Sequence, residues 1–163
     1  MDTKEKLFEC SKFIQNEKRR EDFIELLNKL ISECGYLVSP ASSHYHCSHE
    51  GGLAEHSLST FLYMMKIRDA IAPDVSVESC LIVSLLHDIG KCGYPNNEYY
   101  VKNDSYNPSY TYGKNSKPYT FNDDILFMPH SERSLYLCQY YGFKLTELEF
   151  QAIRIHDGMY IDG

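Results

Sequence analysis

The 163-residue sequence predicts an all-α domain carrying one non-helical insertion, and three observations support that prediction. Apolar residues recur at three- and four-residue steps along most of the chain, and glycine and proline punctuate those runs at helix-length intervals. One stretch, residues 93–128, abandons the period while holding seven of the fourteen tyrosines. A chain of this length buries roughly two thirds of its unfolded surface, so 43% apolar residues can build a core without disulfide or metal staples.

Leu7, Cys10, Phe13 and Ile14 give the first eighteen residues a weak helical pattern, read as a short helix. From Arg20 to Cys34, the residues Phe23, Leu26, Leu27, Leu30 and Ile31 form one amphipathic stripe, which Gly35 stops. Residues 1–35 are therefore expected to be N-terminal helices packed on a main domain of residues 36–163. Ser39-Pro40-Ala41-Ser42-Ser43 breaks the period, because proline lacks an amide hydrogen and restricts the residue before it. A third helix is expected from Gly52-Leu53 to about Ala72, where Pro73 ends it. Ser76 then caps a fourth, Val77 to Ile89, whose Cys80, Leu81, Ile82, Val83, Leu85 and Leu86 are apolar on nearly every face, as suits a central buried helix.

The insertion at 93–128 is too long for an ordinary connector. Alternation around Tyr106, Tyr110, Tyr112, Tyr119 and Phe121, with Gly113-Lys114-Asn115-Ser116 between, suggests a small β-hairpin or an ordered lid. Its tyrosines suit either hairpin packing or stacking on a nucleobase. Helix resumes after Pro129-His130-Ser131, with Leu135, Cys138 and Tyr141 on one side. Thr146 three residues before Glu149 is a capping box that fixes the start of the last helix.

Charge and cysteine usage narrow the function classes. Sixteen Lys+Arg against 23 Asp+Glu give a net charge of −7, which disfavours a binder of long nucleic acid and leaves small anions at one focused basic site. The six cysteines form no CxxC pair, the opening residues lack the apolar stretch of a signal peptide, and no run approaches the roughly 20 apolar residues that cross a bilayer. The sequence is thus read as a soluble protein of the cytoplasm (host cytoplasm for a viral gene), with reduced thiols and no membrane partner. Cys80, Cys92 and Cys138 are read as small core residues.

The most apolar segment ends in His87-Asp88, and buried ionisable residues need a partner. Taken alone, the pair reads as a core histidine and a turn-capping aspartate. Three more histidines, His56, His130 and His156, occupy helices or their mouths, and imidazole with carboxylate is a ligand set for Zn, Mn and Fe. Facing helices of a bundle can gather such residues around one centre. The cluster His44, His46, Cys47 and His49 lacks the spacing of structural zinc motifs and is read as a solvated loop. Gly51-Gly52 belongs to no phosphate-binding pattern and serves a sharp turn.

Gly51-Gly52-Leu53-Ala54-Glu55-His56-Ser57 followed by Leu86-His87-Asp88-Ile89-Gly90-Lys91 resembles the HD-domain metal-dependent phosphohydrolases. The resemblance extends upstream to Ser39-Pro40-Ala41-Ser42 and Tyr45-His46. Downstream it extends to Pro129-His130-Ser131-Glu132-Arg133-Ser134 and Ala152-Ile153-Arg154-Ile155-His156, covering residues 36 to 160. It is strongest toward small phage and Gram-positive HD hydrolases, which are similar to the HD part of certain 3′-to-5′ exoribonucleases.

That resemblance implies an HD-type helical bundle in which His56, His87 and Asp88 bind a first divalent ion, Asp88 bridges to a second, and His130 and His156 bind the second or contact phosphate. Asp88 and Lys91 would be catalytic, the lysine by offsetting charge at phosphorus, while His46 and Arg133 would bind substrate. The cofactor expected is one or two divalent ions, with Mn, Fe, Zn, Ni or Mg open. HD domains normally close the ligand set with an aspartate on a later helix; here Asp157, directly after His156, is the candidate substitute. The expected activity is hydrolysis of a nucleotide or related small phosphate ester. Two alternatives stay open, a phosphodiesterase or exonuclease on cyclic or short oligonucleotides and a nucleotide sensor with impaired turnover. Homo-oligomer formation is also left open.

Overall fold

A computed structural model of the chain describes residues 2–158, and those residues form a helical bundle with one small sheet. The helices are α1 Thr3–Cys10, α2 Glu17–Glu33, α3 Gly52–Ile71, α4 Val77–Leu86, α5 His130–Tyr140 and α6 Glu147–Ile155. Short 3-10 turns cover Ser11–Phe13, Ile89–Cys92 and Lys114–Ser116, and two strands, β1 Tyr100–Lys102 and β2 Tyr119–Phe121, pair antiparallel. No helix among the described residues is long and apolar enough to cross a membrane.

Local chemistry explains the helix starts. Asp2 and Glu5 form a reciprocal capping box on α1, and the Asn16 side chain accepts from the Arg19 amide, so α2 begins at Glu17 and not at Arg20 as its apolar stripe suggests. Ser76 caps α4 through the Ser79 amide, and Thr146 and Glu149 form the expected capping box on α6.

One core runs through all of this. Leu7 of α1 and Phe23, Leu26, Leu27 and Leu30 of α2 join Leu53, Leu81, Leu85, Leu86, Leu137 and Ile153 in a single cluster. Central α4 buries Cys80, Leu81, Ile82, Ser84, Leu85 and Leu86 and packs on α3 and α6.

Helix α4 ends earlier than its hydrophobic run. The helix stops at Leu86, and the chain turns at Asp88 (φ −110°, ψ 6°) into the 3-10 segment Ile89–Cys92, where the Lys91 amide bonds the Asp88 carbonyl at 2.9 Å. Consecutive side chains on a continuous helix diverge by about 100°. The break lets His87 and Asp88 converge.

The insertion forms the expected hairpin with an unexpected partner strand. The register is Tyr100↔Phe121, Val101↔Thr120 and Lys102↔Tyr119, so Tyr106, Tyr110 and Tyr112 lie in the exposed connection. Aromatic packing decides the pairing, because the rings of Tyr99 and Tyr100 meet Phe121 at centroid distances of 5.4 and 5.3 Å. Tyr99, Tyr100 and Tyr119 make a second small core with Ile125 against them. Backbone bonds from Asn96 to Glu33 (2.7 Å) and from Tyr119 to Ser43 (3.2 Å) fasten the insertion to the bundle.

Candidate metal centre

Five side chains from four parts of the chain meet at the end of α4. His56 comes from the second turn of α3, His87 and Asp88 from the break after α4, His130 from the first residue of α5, and His156 from the C-cap of α6. Two close approaches bring them together. A Cβ on Gly90 would fall 2.0 Å from the His130 carbonyl oxygen, so only glycine lets the start of α5 sit this close to the turn bearing Asp88. At the start of α3, a Cβ on Gly52 would fall 2.0 Å from the Cys47 carbonyl, which seats the loop carrying His46 against the helix carrying His56.

Ser134 ties α5 to the turn that carries His87 and Asp88. Its hydroxyl accepts from the Gly90 amide at 2.8 Å and lies 2.7 Å from the His87 carbonyl and 2.9 Å from that of His130. The serine is fully buried, and through it α5 and the His87-Asp88 turn hold a fixed distance.

The donor atoms face inward. His87 Nδ1 lies 2.9 Å from the Ser84 carbonyl and His156 Nδ1 2.7 Å from that of Ile153, so each Nδ1 carries the hydrogen and leaves Nε2 with a lone pair toward the centre. His56 and His87 meet Nε2 to Nε2 at 3.2 Å, and His130 and His156 do so at 3.3 Å. The carboxylate of Asp88, 2% exposed, stands between the pairs. Its Oδ2 is 3.3 Å from His56 and 3.4 Å from His87, and its Oδ1 is 3.3 Å from both His130 and His156.

Lone pairs converging on a buried carboxylate repel unless a cation or protons lie among them. The Oδ1 atom is buried without a hydrogen-bond partner, a cost ordinarily avoided in a folded chain. Among the described residues the sets that could hold a metal ion are His56-His87-Asp88 and Asp88-His130-His156. In each, the donor atoms lie within 4.8 Å of one another. Burial alone would raise the Asp88 carboxyl, but a proton on Nε2 of His156, His56 or His87, or a cation in its place, outweighs burial and holds the carboxyl well below the usual carboxylate range. The residues present therefore fit a divalent ion.

The family model described as the HD domain matches residues 53–159, a span that includes all five of these side chains. The chain belongs to the HD-domain family. Neither a curated protein nor a solved structure matches it. HD domains are typically metal-dependent hydrolases, and this one carries the His/Asp cluster on which that chemistry depends.

The other expected site residues of this HD domain fall around the cluster. The Lys91 amine donates to Asp88 Oδ2 at 2.7 Å. His46 is exposed, its ring 4.7 Å from that of His56, and burial followed by the neighbouring His56 and Lys91 lowers its pKa. Asp157 places its Oδ2 2.8 Å from His130 Nε2 and its Oδ1 3.5 Å from His156 Nε2.

Arg133 is wholly buried beneath the insertion. Its guanidinium lies 4.2 Å over the Tyr94 ring and 5.4 Å over that of Tyr99, and Nη2 donates to the Leu126 carbonyl at 2.8 Å. Nε and Nη1 have no hydrogen-bond partner. In this conformation Arg133 clasps both ends of the insertion.

His44, His46, Cys47 and His49 form no convergent metal-binding set among the described residues. Cys80, Cys92 and Cys138 are buried, and burial raises all three thiols, Cys138 to about 12, which leaves them inert. Ser134 is the functional residue that motif reading missed.

Proposed function

We propose that this HD domain hydrolyses a nucleotide or related small phosphate ester, using one or two divalent ions held by His56, His87, Asp88, His130 and His156. The observation that carries the proposal is the pair of opposed imidazole couples around Asp88, each with Nε2 turned inward. Such an ion, once bound, brings the pKa of water to roughly 7 and draws charge from phosphoryl oxygens.

The chain's own residues do the rest. Asp88 presents one oxygen to each histidine pair and, ionised beside the cation those pairs would hold, can orient a nucleophilic water by accepting its hydrogen bond. Lys91 brings positive charge to the phosphoryl oxygens, where stabilisation of phosphoryl transfer is concentrated. His46, at the solvent edge beside His56, would meet the substrate. Arg133, with two unused donors, would meet phosphate once the insertion, with Tyr94 and Tyr99, lifts from its guanidinium. The exposed rings of Tyr106, Tyr110 and Tyr112 favour a substrate carrying a base, since aromatic faces stack on bases with little preference among them. Several such rings on one insertion also favour a second reading, a cyclic or short oligonucleotide.

The test is phosphate and nucleoside release from a panel of nucleoside mono-, di- and triphosphates, a cyclic dinucleotide and a short oligonucleotide. Each is assayed with Mn²⁺, Fe²⁺, Ni²⁺, Zn²⁺ or Mg²⁺. Turnover that a chelator abolishes and metal restores is the expected result. Nucleotide binding without turnover under every metal would replace the enzyme with a sensor.

A further inference from the structure

The two oxygens of Asp88 face different surroundings. On the Oδ2 side stand His56, His87 and the Lys91 amine, which at 2.7 Å already satisfies that oxygen with a positive charge. On the Oδ1 side stand His130, His156 and a second carboxylate, Asp157, and there the Asp88 oxygen is buried with no hydrogen-bond partner. The imidazole count is equal. A resident cation neighbours one side and an additional anion the other, so a divalent ion is attracted more strongly to the Oδ1 side at any common dielectric.

Distances admit an ion on either side, with 3.2, 3.3 and 3.4 Å among His56, His87 and Asp88 Oδ2, so the charges decide. Donor atoms bound to one ion at roughly 2.0–2.2 Å lie about 2.8–3.6 Å apart for right-angle to tetrahedral arrangements. The separations around Oδ1 are 3.3 Å from His130 to His156 and 3.3 Å from each to Asp88, while Asp157 lies alongside with Oδ2 2.8 Å from His130 and Oδ1 3.5 Å from His156.

We infer that the two metal sites are unequal, with the resident ion held on the Oδ1 side by Asp88, His130 and His156 beside the negative charge of Asp157. The Oδ2 side fills second and only as Lys91 releases Asp88. Lys91 and the second ion thus compete for one oxygen. This rests on the reading above that the cluster binds divalent ions.

The experiment is equilibrium titration of the full metal-stripped chain with Mn²⁺, following free Mn²⁺ by electron paramagnetic resonance and bound metal by elemental analysis. The wild type is expected to bind in two steps whose affinities differ by about tenfold or more. Asp157→Asn, at an exposed position where folding is safe, should weaken the tight step about ten- to a hundredfold and leave the weak one. Lys91→Met should tighten the weak step, and His56→Ala should remove it while the tight ion stays. Circular dichroism confirms that each variant is folded.

Two equal steps, an Asp157→Asn protein that binds like the wild type, or loss of the tight ion in His56→Ala would each overturn the inference while leaving a metal enzyme intact. A wild type that binds none of Mn²⁺, Fe²⁺, Ni²⁺, Zn²⁺ and Mg²⁺ removes the proposed function as well.

Discussion

Asp88 and Glu149 are both carboxylates taken almost wholly out of water, at 2% and 1% exposure, yet the fold completes them differently. Glu149 is satisfied by the protein alone. It accepts from the Thr146 amide at 2.8 Å and the Ser79 hydroxyl at 3.0 Å, and Arg19 joins it to Glu78, binding α2, α4 and α6 together. Asp88 has imidazole nitrogens on both oxygens, a lysine on one and nothing donating to the other. Burial by itself therefore does not mark a functional acid. The distinction is whether the partners present are donors or are themselves bases waiting for a cation.

Replacing each acid by its neutral amide tests that distinction most severely. Asp88→Asn should lose bound metal to background and lower hydrolysis by roughly 10³-fold or more, because both ion sites share that charge. Glu149→Gln should keep its metal content. Equal metal loss in the two variants would erase the contrast.

Arg19→Ala attacks the other carboxylate and should be chiefly a stability mutant. It strands Glu149, whose side chain has no solvent contact, and removing one partner of a buried pair costs about 3–5 kcal/mol. Arg19 itself is about a fifth exposed, so water can enter and the low end, about 3 kcal/mol, is expected in urea unfolding. Metal affinity should stay unchanged.

The two sites also differed in how far the sequence revealed them. Local signals were sufficient for His56, His87, Asp88, His130 and His156, whose neighbours form recognisable motifs, and for the Thr146–Glu149 cap, a three-residue pattern. The hydrophobic run of α4 marked the central helix but concealed its early end, because Ile89 continues the apolar composition while the backbone has already turned. In the insertion the count of tyrosines pointed to a hairpin, and only the meeting of Tyr99 and Tyr100 with Phe121 chose the strands. Arg19 to Glu149 spans 130 positions, and no one-dimensional pattern announces such a pair. Ser134 was invisible for another reason, since serine on a helix usually means nothing beyond a small polar side chain.

Metal removal sharpens the comparison on the side of Asp88. Ligand binding to the native state alone contributes about 2.7 kcal/mol at a hundred times the dissociation constant. Wild-type chain in that excess of Mn²⁺ should therefore unfold at correspondingly higher urea than chelated chain, and Asp88→Asn should show no difference. The chelated wild type should remain folded, because the core from Leu7 to Ile153 closes without the ion.

The finest test lies at Ser134, which touches neither carboxylate. Its hydroxyl accepts from Gly90 and lies against the carbonyls of His87 and His130, so it sets how far α5 stands from the turn that carries Asp88. Ser134→Ala removes that bond while keeping the small volume that the packed position requires. Groups that hold metal ligands in place are worth about ten- to a hundredfold in affinity. The loss should fall on the ion between Asp88 and His130, since those two belong to the elements the serine joins. Stability should fall by about 1–3 kcal/mol, the cost of one buried amide left unpaired at Gly90. A variant with that stability loss but wild-type Mn²⁺ binding would show that the fold positions His130 without the serine, leaving the close approach at Gly90 as the sole determinant.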